Sequence, residues 1–231
     1  MLRIEPNAIH LWWAVLDRPE NEEKRLAALL VNEERQRADR FFFANHRRRF
    51  VAAHGMLRGL LGAYLDMPPQ RVPVRRTDSG KPYLEKTANP GGICFNLSHS
   101  HGMALYGFST NRRIGVDIEY IRELTDIVKI AERFFPAGEA GRIASASGQR
   151  RQELFFRCWS VKEACLKATG QGIGGLREME SENFSEKSWM IRPVAIRPGY
   201  AASVAVEQAF DAKLIVQQVS FPDLMINNAI G

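Results

Sequence analysis

The chain has 231 residues, 45% of them hydrophobic and 25% charged, with a net charge of +6. That is enough apolar material for one large domain or two small ones, and its even spread excludes a chain dominated by disorder or low complexity. No apolar run reaches the length of a bilayer span, and Met1-Leu2-Arg3-Ile4-Glu5 is not followed by the apolar stretch of a secretory signal. The three cysteines, Cys94, Cys158 and Cys165, are odd in number and lack C-x-x-C spacing. They argue against a disulfide framework or zinc site and for a reducing cytoplasm.

Charge is unevenly divided. Before Ile114 there are 18 Lys/Arg against 11 Asp/Glu, a surplus of +7; from Ile114 onward there are 14 against 15, a balance of −1. The basic first part suits an anionic partner: nucleic acid, polyphosphate or an acidic protein.

Taken in chain order, Ile9 to Leu16 reads as a buried strand ended by Asp17-Arg18-Pro19. A charged helix follows, with Leu26, Leu29 and Leu30 on its apolar side, running into Ala38-Asp39-Arg40-Phe41-Phe42. A second helix carries Phe50, Ala53, Leu57 and Tyr64 at helical spacing and stops at Pro68-Pro69. A Gly/Pro-punctuated loop with Gly80-Lys81-Pro82 leads to a hairpin-like pair of strands across residues 93–109. The later part repeats this order: a strand from Ile114 to Ile121, a helix reaching Ala131-Glu132-Arg133-Phe134-Phe135, a long helix over about residues 150–169, then strands near Trp189–Ile196 and Tyr200–Val206. The pattern predicts an α+β fold, a pseudo-twofold duplication of two similar halves, 1–113 and 114–231, with the active site in a cleft between them.

In Ile114-Gly115-Val116-Asp117-Ile118-Glu119 the alternation of a strand places Asp117 and Glu119 on one face, about 7 Å apart, where they can close on one hard cation. On the long helix, Leu154, Cys158, Val161, Cys165 and Ala168 form an apolar stripe. Trp159, Glu163 and Lys167 stand at i, i+4 and i+8 on the opposite side with Phe156 beside them, as expected of a second buried surface walling a cleft. Phe95-Asn96-Leu97-Ser98-His99-Ser100 ends a predicted strand, and its hydroxyls and histidine suit phosphate oxygens. Gly80-Lys81-Pro82 offers a close backbone approach, a cation and a rigid φ, but it is not a Walker A loop.

These strings, G-K-P, F-N-L-S-H-S, G-V-D-I-E and W-S-V-K-E-A-C-L-K, resemble in order and separation the surfactin-type (Sfp-type) 4′-phosphopantetheinyl transferases, over nearly the whole chain. The resemblance implies transfer of phosphopantetheine from coenzyme A to a serine of an apo acyl or peptidyl carrier protein, with release of 3′,5′-ADP. By the same resemblance Asp117, Glu119 and Glu163 hold Mg²⁺ against the pyrophosphate. Lys167 contacts phosphate, and Glu163 is also a candidate base for the serine. Ser98 and His99 match phosphate contacts, and Gly80, Lys81 and Pro82 match the segment around the adenine. Arg37 falls where the family often has a cation for the 3′-phosphate, with Arg49 a looser match. Phe50 stands where some members carry a hydroxyl. The first half would then bind the phosphates and adenine and the second would hold the metal and the catalytic carboxylates. The implied partners are coenzyme A and an acidic carrier protein of fatty-acid, polyketide or nonribosomal peptide synthesis, met by a cytoplasmic monomer.

Three other readings compete. Phe41-Phe42-Phe43 followed by Arg47-Arg48-Arg49 could stack on and neutralise nucleic acid, although such phenylalanines more often enter a core. The same carboxylates could serve a metal-dependent nucleotide phosphohydrolase, or the chain could bind coenzyme A without catalysis. The run from Gly170 to Gly175 follows a helix, not a strand, and reads as a helix-terminating loop in place of a dinucleotide fingerprint. Cys158 and Cys165 read as inert packing.

Overall fold

The computed structural model describes residues 2–170, 188–209 and 211–219. The first sheet is built on β1 (Ala8–Val15), whose alternation sends His10 and Trp12 to one side and Ile9, Leu11 and Trp13 to the other. Three helices follow, α1 (Glu20–Ala28), α2 (Asn32–Asp39) and α3 (Ala44–Leu65), then a short hairpin of β2 (Val74–Arg76) and β3 (Pro82–Leu84). β4 (Ile93–Ser100) and β5 (Met103–Thr110) return to β1, and β6 (Ile114–Tyr120) opens the second half. There α4 (Ile127–Phe134), α5 (Ala137–Ser145) and α6 (Gly148–Thr169) precede β7 (Trp189–Pro193) and β8 (Tyr200–Glu207).

The duplication is visible in the strand order. β4-β5-β1 in one sheet and β7-β8-β6 in the other have the same antiparallel connections, and each half carries one 22-residue helix, α3 or α6. Ile9, Leu11, Met103 and Leu105 of the first sheet meet Ile114, Val116, Ile118 and Val204 of the second in one shared core. The helix α3 covers the outer face of the first sheet, while α6 covers that of the second. The result is helix, sheet, sheet, helix, with no water-exposed face left on either sheet centre.

Several details depart from the sequence expectation. A last strand, β9 (Lys213–Gln218), pairs in parallel with β1 from Ala8↔Lys213 to Trp13↔Gln218, so the second half lends an edge strand to the first sheet. The echo of Ala38–Phe42 by Ala131–Phe135 holds for the buried alanines at the ends of α2 and α4. It then diverges, because α2 leads directly into the long helix while α4 leads into α5. Phe42 and Phe43 stay out of the core at 92% and 59% exposure, lying in the turn between α2 and α3, and only Phe41 packs back, onto Phe50.

On α6 the buried stripe is rotated from the expected one. Phe155, Phe156, Ser160, Ala164, Cys165 and Ala168 are buried, while Leu154, Cys158 and Val161 are half-buried. Small residues explain the rotation. A Cβ on Gly115 of β6 would collide with the Ala164 carbonyl and the Ala168 backbone, so the helix lies directly on the strand. Phe156 and Trp159 form the expected second packed surface, in an aromatic cluster with Phe135 and Phe155 against α4 and α5. Gly170 ends α6 in the left-handed region, φ 77°; the rest of that glycine run lies outside the described residues. Among the described residues no helix is long and apolar enough to cross a membrane.

Candidate active site between the two halves

β6 is an edge strand, so alternate backbone N–H groups along its outer side lack a strand partner. They are met by side chains of β4. Val116 N–H donates to Asn96 Oδ1 at 2.9 Å, Ile118 N–H to Ser98 Oγ at 3.3 Å and Tyr120 N–H to Ser100 Oγ at 3.2 Å. Polar residues at every second position of β4 thus stitch the halves together and satisfy amides that would otherwise be buried without partners.

The same hydroxyls hold the carboxylates. Ser98 donates to Asp117 Oδ1 at 2.9 Å and Ser100 donates to Glu119 Oε2 at 3.0 Å. Lys167, in the last turn of α6, donates to Ser98 Oγ at 2.9 Å and pairs with Asp117 Oδ1 at 2.6 Å. The Ser98 hydroxyl therefore uses its proton and both lone pairs within the protein. The sequence reading gave Ser98 a phosphate contact; in this arrangement its side chain has no donor left for one.

Asp117 is 2% exposed, and its second oxygen, Oδ2, is buried without a hydrogen-bond partner. Glu119 and Glu163 are half-buried beside it. Burial first, and the Asp117 charge second, push Glu119 above the usual carboxylate range, opposed by Ser100, Arg122 and Lys167. Burial also pushes Glu163 up; Lys167 opposes that shift and Asp117 adds to it. Asp117 is thus within electrostatic reach of both Glu119 and Glu163. Among the described residues, however, no three His, Cys, Asp or Glu side chains are gathered into a ready metal-binding group, and Asp117 has the Lys167 ammonium as its counter-charge.

Next to the carboxylates lies a group of basic side chains from the first half. His99 is open to solvent yet flanked closely enough that lost hydration, and then Lys167, hold it below its ordinary range. Arg37 stands over the Phe50 ring at 5.3 Å, and His54 stacks on that same ring at 3.9 Å between centroids. The His54 Nδ1–H donates to the Phe50 carbonyl at 3.1 Å. Burial, with His99, Arg37 and Arg76 nearby, drives the His54 ring down to about 3, so it is neutral. Arg76 is held below its usual value by burial and by Arg37. Arg37 and Arg76 crowded together in this way suit a multiply charged anion. Sequence reasoning named Arg37 and His99 here and missed His54 and Arg76, although His54 is one helical turn beyond Phe50 on the same face.

Arg49 belongs to a different neighbourhood. It grips Asp17 with two bonds of 2.7 and 2.8 Å, which holds the Asp17 carboxyl below its ordinary range. Gly80 has φ 83°, and its N–H and the Lys81 carbonyl close a tight turn on Thr77. The Lys81 ammonium donates to the carbonyl of Ala168 at 2.6 Å. Pro82 and Lys81 also line a cavity of about 580 Å³ shared with Tyr83, Cys94 and Arg113. The cysteines are free, and burial pushes Cys165 up to about 12, in keeping with packing and not nucleophilic chemistry.

A sequence profile described as the 4′-phosphopantetheinyl transferase superfamily matches residues 113–213, and one described as the N-terminal part of 4′-phosphopantetheinyl transferase matches residues 17–106. The chain is 44% identical over 179 residues to the 4′-phosphopantetheinyl transferase HetI of Nostoc sp. (strain PCC 7120 / SAG 25.82 / UTEX 2576), covering 78% of this chain and 76% of that protein. It is 35% identical to a putative 4′-phosphopantetheinyl transferase of Synechocystis sp. (strain ATCC 27184 / PCC 6803 / Kazusa), covering 78% and 73%. It is 34% identical to the 4′-phosphopantetheinyl transferase psf-1 of Bacillus pumilus, covering 65% and 62%.

Proposed function

The chain belongs to the 4′-phosphopantetheinyl transferase family, and on that premise we propose how its own residues divide the work of moving phosphopantetheine from coenzyme A to a carrier-protein serine, releasing 3′,5′-ADP. The observation that carries the proposal is the knot of Asp117, Ser98 and Lys167, tied where the two halves meet. It brings a buried carboxylate, a cation and the groups that orient them to one place beside a cationic cleft.

In this reading the first half, 1–113, receives the nucleotide end of coenzyme A. Arg37 and His99 face its phosphates, helped by Arg76; Arg49 could join them only by sharing its guanidinium with Asp17. Gly80, Lys81 and Pro82 border the adenine through their backbone. Ser98 acts on the substrate through the carboxylate and the lysine that it holds. In the second half, 114–231, Lys167 steadies charge that builds on the phosphoryl oxygens.

Asp117, Glu119 and Glu163 are the residues that would hold Mg²⁺, and the unpartnered Asp117 Oδ2, with two acids raised by burial beside it, fits a hard cation's preference for oxygen donors. When bound, such an ion neutralises the pyrophosphate. Glu163, held above the ordinary carboxylate range, suits the role of accepting the serine proton near neutral pH.

The sequence strings favour the surfactin-type branch, the basic surplus of the first half favours acidic carrier proteins, the unpaired cysteines favour the cytoplasm, and the internal duplication favours a monomer. The test is incubation of the protein with an apo carrier protein, coenzyme A and Mg²⁺, followed by mass spectrometry, with an EDTA arm. One added phosphopantetheine on the carrier, lost with EDTA, is expected. Release of phosphate or nucleotide without carrier modification would point to a hydrolase instead.

A further inference from the structure

The Lys81 side chain reaches from the first half to the second. Its stem lies about a contact distance from Gly170, where a Cβ would meet Lys81 Cδ at 3.6 Å, and its ammonium ends on the Ala168 carbonyl. Lys81 and Ala168 are 87 positions apart and belong to different halves. The carbonyl in question is one of the last of α6, which the helix itself cannot satisfy, and a cation there also complements the helix dipole. Burial holds Lys81 down to about 8, as befits a group engaged inside the protein and not extended into solvent.

What this anchor steadies is specific. Ala168 follows Lys167 directly, and Lys167 makes the bonds to Ser98 and Asp117. One turn earlier is Glu163. On its inner side the same turn rests on Gly115 without any intervening side chain. The last turn of α6 is therefore held from two directions by the first half: Ser98 takes Lys167, and Lys81 takes the backbone next to it.

We infer that Lys81 is a positioning residue for transfer: its ammonium pins the C-terminal turn of α6 to the Gly80–Pro82 loop, so that Lys167 and Glu163 stay in register with Asp117. The inference rests on the transferase reading above for its kinetic consequence, but the anchor itself does not depend on it. Binding of a nucleotide against that loop is thereby linked mechanically to the helix that carries the second-half groups.

The experiment uses the full chain with Lys81→Met, which keeps the stem and removes the ammonium, and Lys81→Arg, which restores a cationic donor. With coenzyme A and an apo carrier protein, Lys81→Met is expected to lower kcat about tenfold or more with little change in KM for coenzyme A. Lys81→Arg should recover most of that loss. In parallel, hydrogen exchange should show the amides of the last turn of α6 opening about tenfold faster in Lys81→Met, with α3 unaffected. A raised KM at unchanged kcat would make Lys81 a substrate contact and overturn the inference, as would unchanged exchange in the helix end. Wild-type protein that modifies no carrier would sink the transferase reading alone, since the exchange measurement still decides the anchor.

Discussion

Ser98 Oγ lies 2.9 Å from Asp117 Oδ1, and this single bond crosses from the first half of the chain to the second. Because Ile118 N–H and Lys167 both donate to the same oxygen, the hydroxyl proton has one destination, the carboxylate. Orientation of Asp117 is thus decided in part by a residue of the other half, and its second oxygen is left buried without a hydrogen-bond partner. The duplication has become asymmetric in function. One copy contributes the edge strand and its acids, the other contributes the side chains that fix them.

Replacing Ser98 by Ala should therefore act twice. A buried amide and a buried carboxylate each lose a partner, for which a loss of about 1–3 kcal/mol in unfolding free energy is expected. If Asp117 holds the metal as proposed, the hydroxyl that orients it should contribute about 10–100-fold to activity, and a fall in kcat of that size is expected. Urea unfolding and carrier modification by mass spectrometry measure the two effects. Wild-type kcat in Ser98→Ala would show that Asp117 does not need this bond.

Glu163→Gln separates chemistry from stability. Burial and Asp117 both penalise the charged form of Glu163 in the folded state, so a neutral isostere should leave stability unchanged or slightly raised at neutral pH. Transfer should nevertheless fall by about 10²–10⁴, the usual contribution of a positioned proton acceptor. Thermal melting beside a turnover assay distinguishes the two. Near-normal turnover would remove Glu163 from the reaction.

The local pattern of the candidate site is legible in the sequence. Period-two alternation in Ile114–Glu119 separates Asp117 and Glu119 from the apolar positions, and helical spacing ties Glu163 to Lys167. Asn96, Ser98 and Ser100 obey the same alternation, but their meaning depends on β6 running alongside twenty residues later, which no local pattern reveals. The contact of Lys81 with Ala168 and the docking of β9 on β1 are products of topology for the same reason. What Trp159 and Phe156 pack against, the helices α4 and α5, is likewise set by topology.

His54 makes stability depend on pH in a definite direction. Its folded value is about 3 against 6.5 for the free ring, so the unfolded chain takes up a proton that the folded protein refuses. The contribution is complete above pH 6.5 and is lost as pH falls, at about 1.4 kcal/mol per unit once the unfolded ring is mostly protonated, until the folded ring also protonates near its own value. His54→Gln should flatten the stability profile between about pH 6 and 4 relative to wild type. Parallel profiles for the two proteins in urea titrations would show that His54 is charged in the folded state.

Gly115→Ala tests whether α6 must lie directly on β6. The added methyl meets the carbonyl of Ala164 and the backbone of Ala168, neither of which is a flexible side-chain end, so the helix has to move as a body. Overpacking of this kind costs about 1–3 kcal/mol and occasionally more. The displacement also disturbs Lys167, which bonds Asp117 and Ser98 at 2.6 and 2.9 Å. Activity should fall further than stability alone explains at a temperature where the variant remains folded, as judged by circular dichroism. A folded Gly115→Ala protein with wild-type transfer would mean that the second-half groups tolerate a shifted helix, and the close approach of α6 to β6 would then be a matter of packing alone.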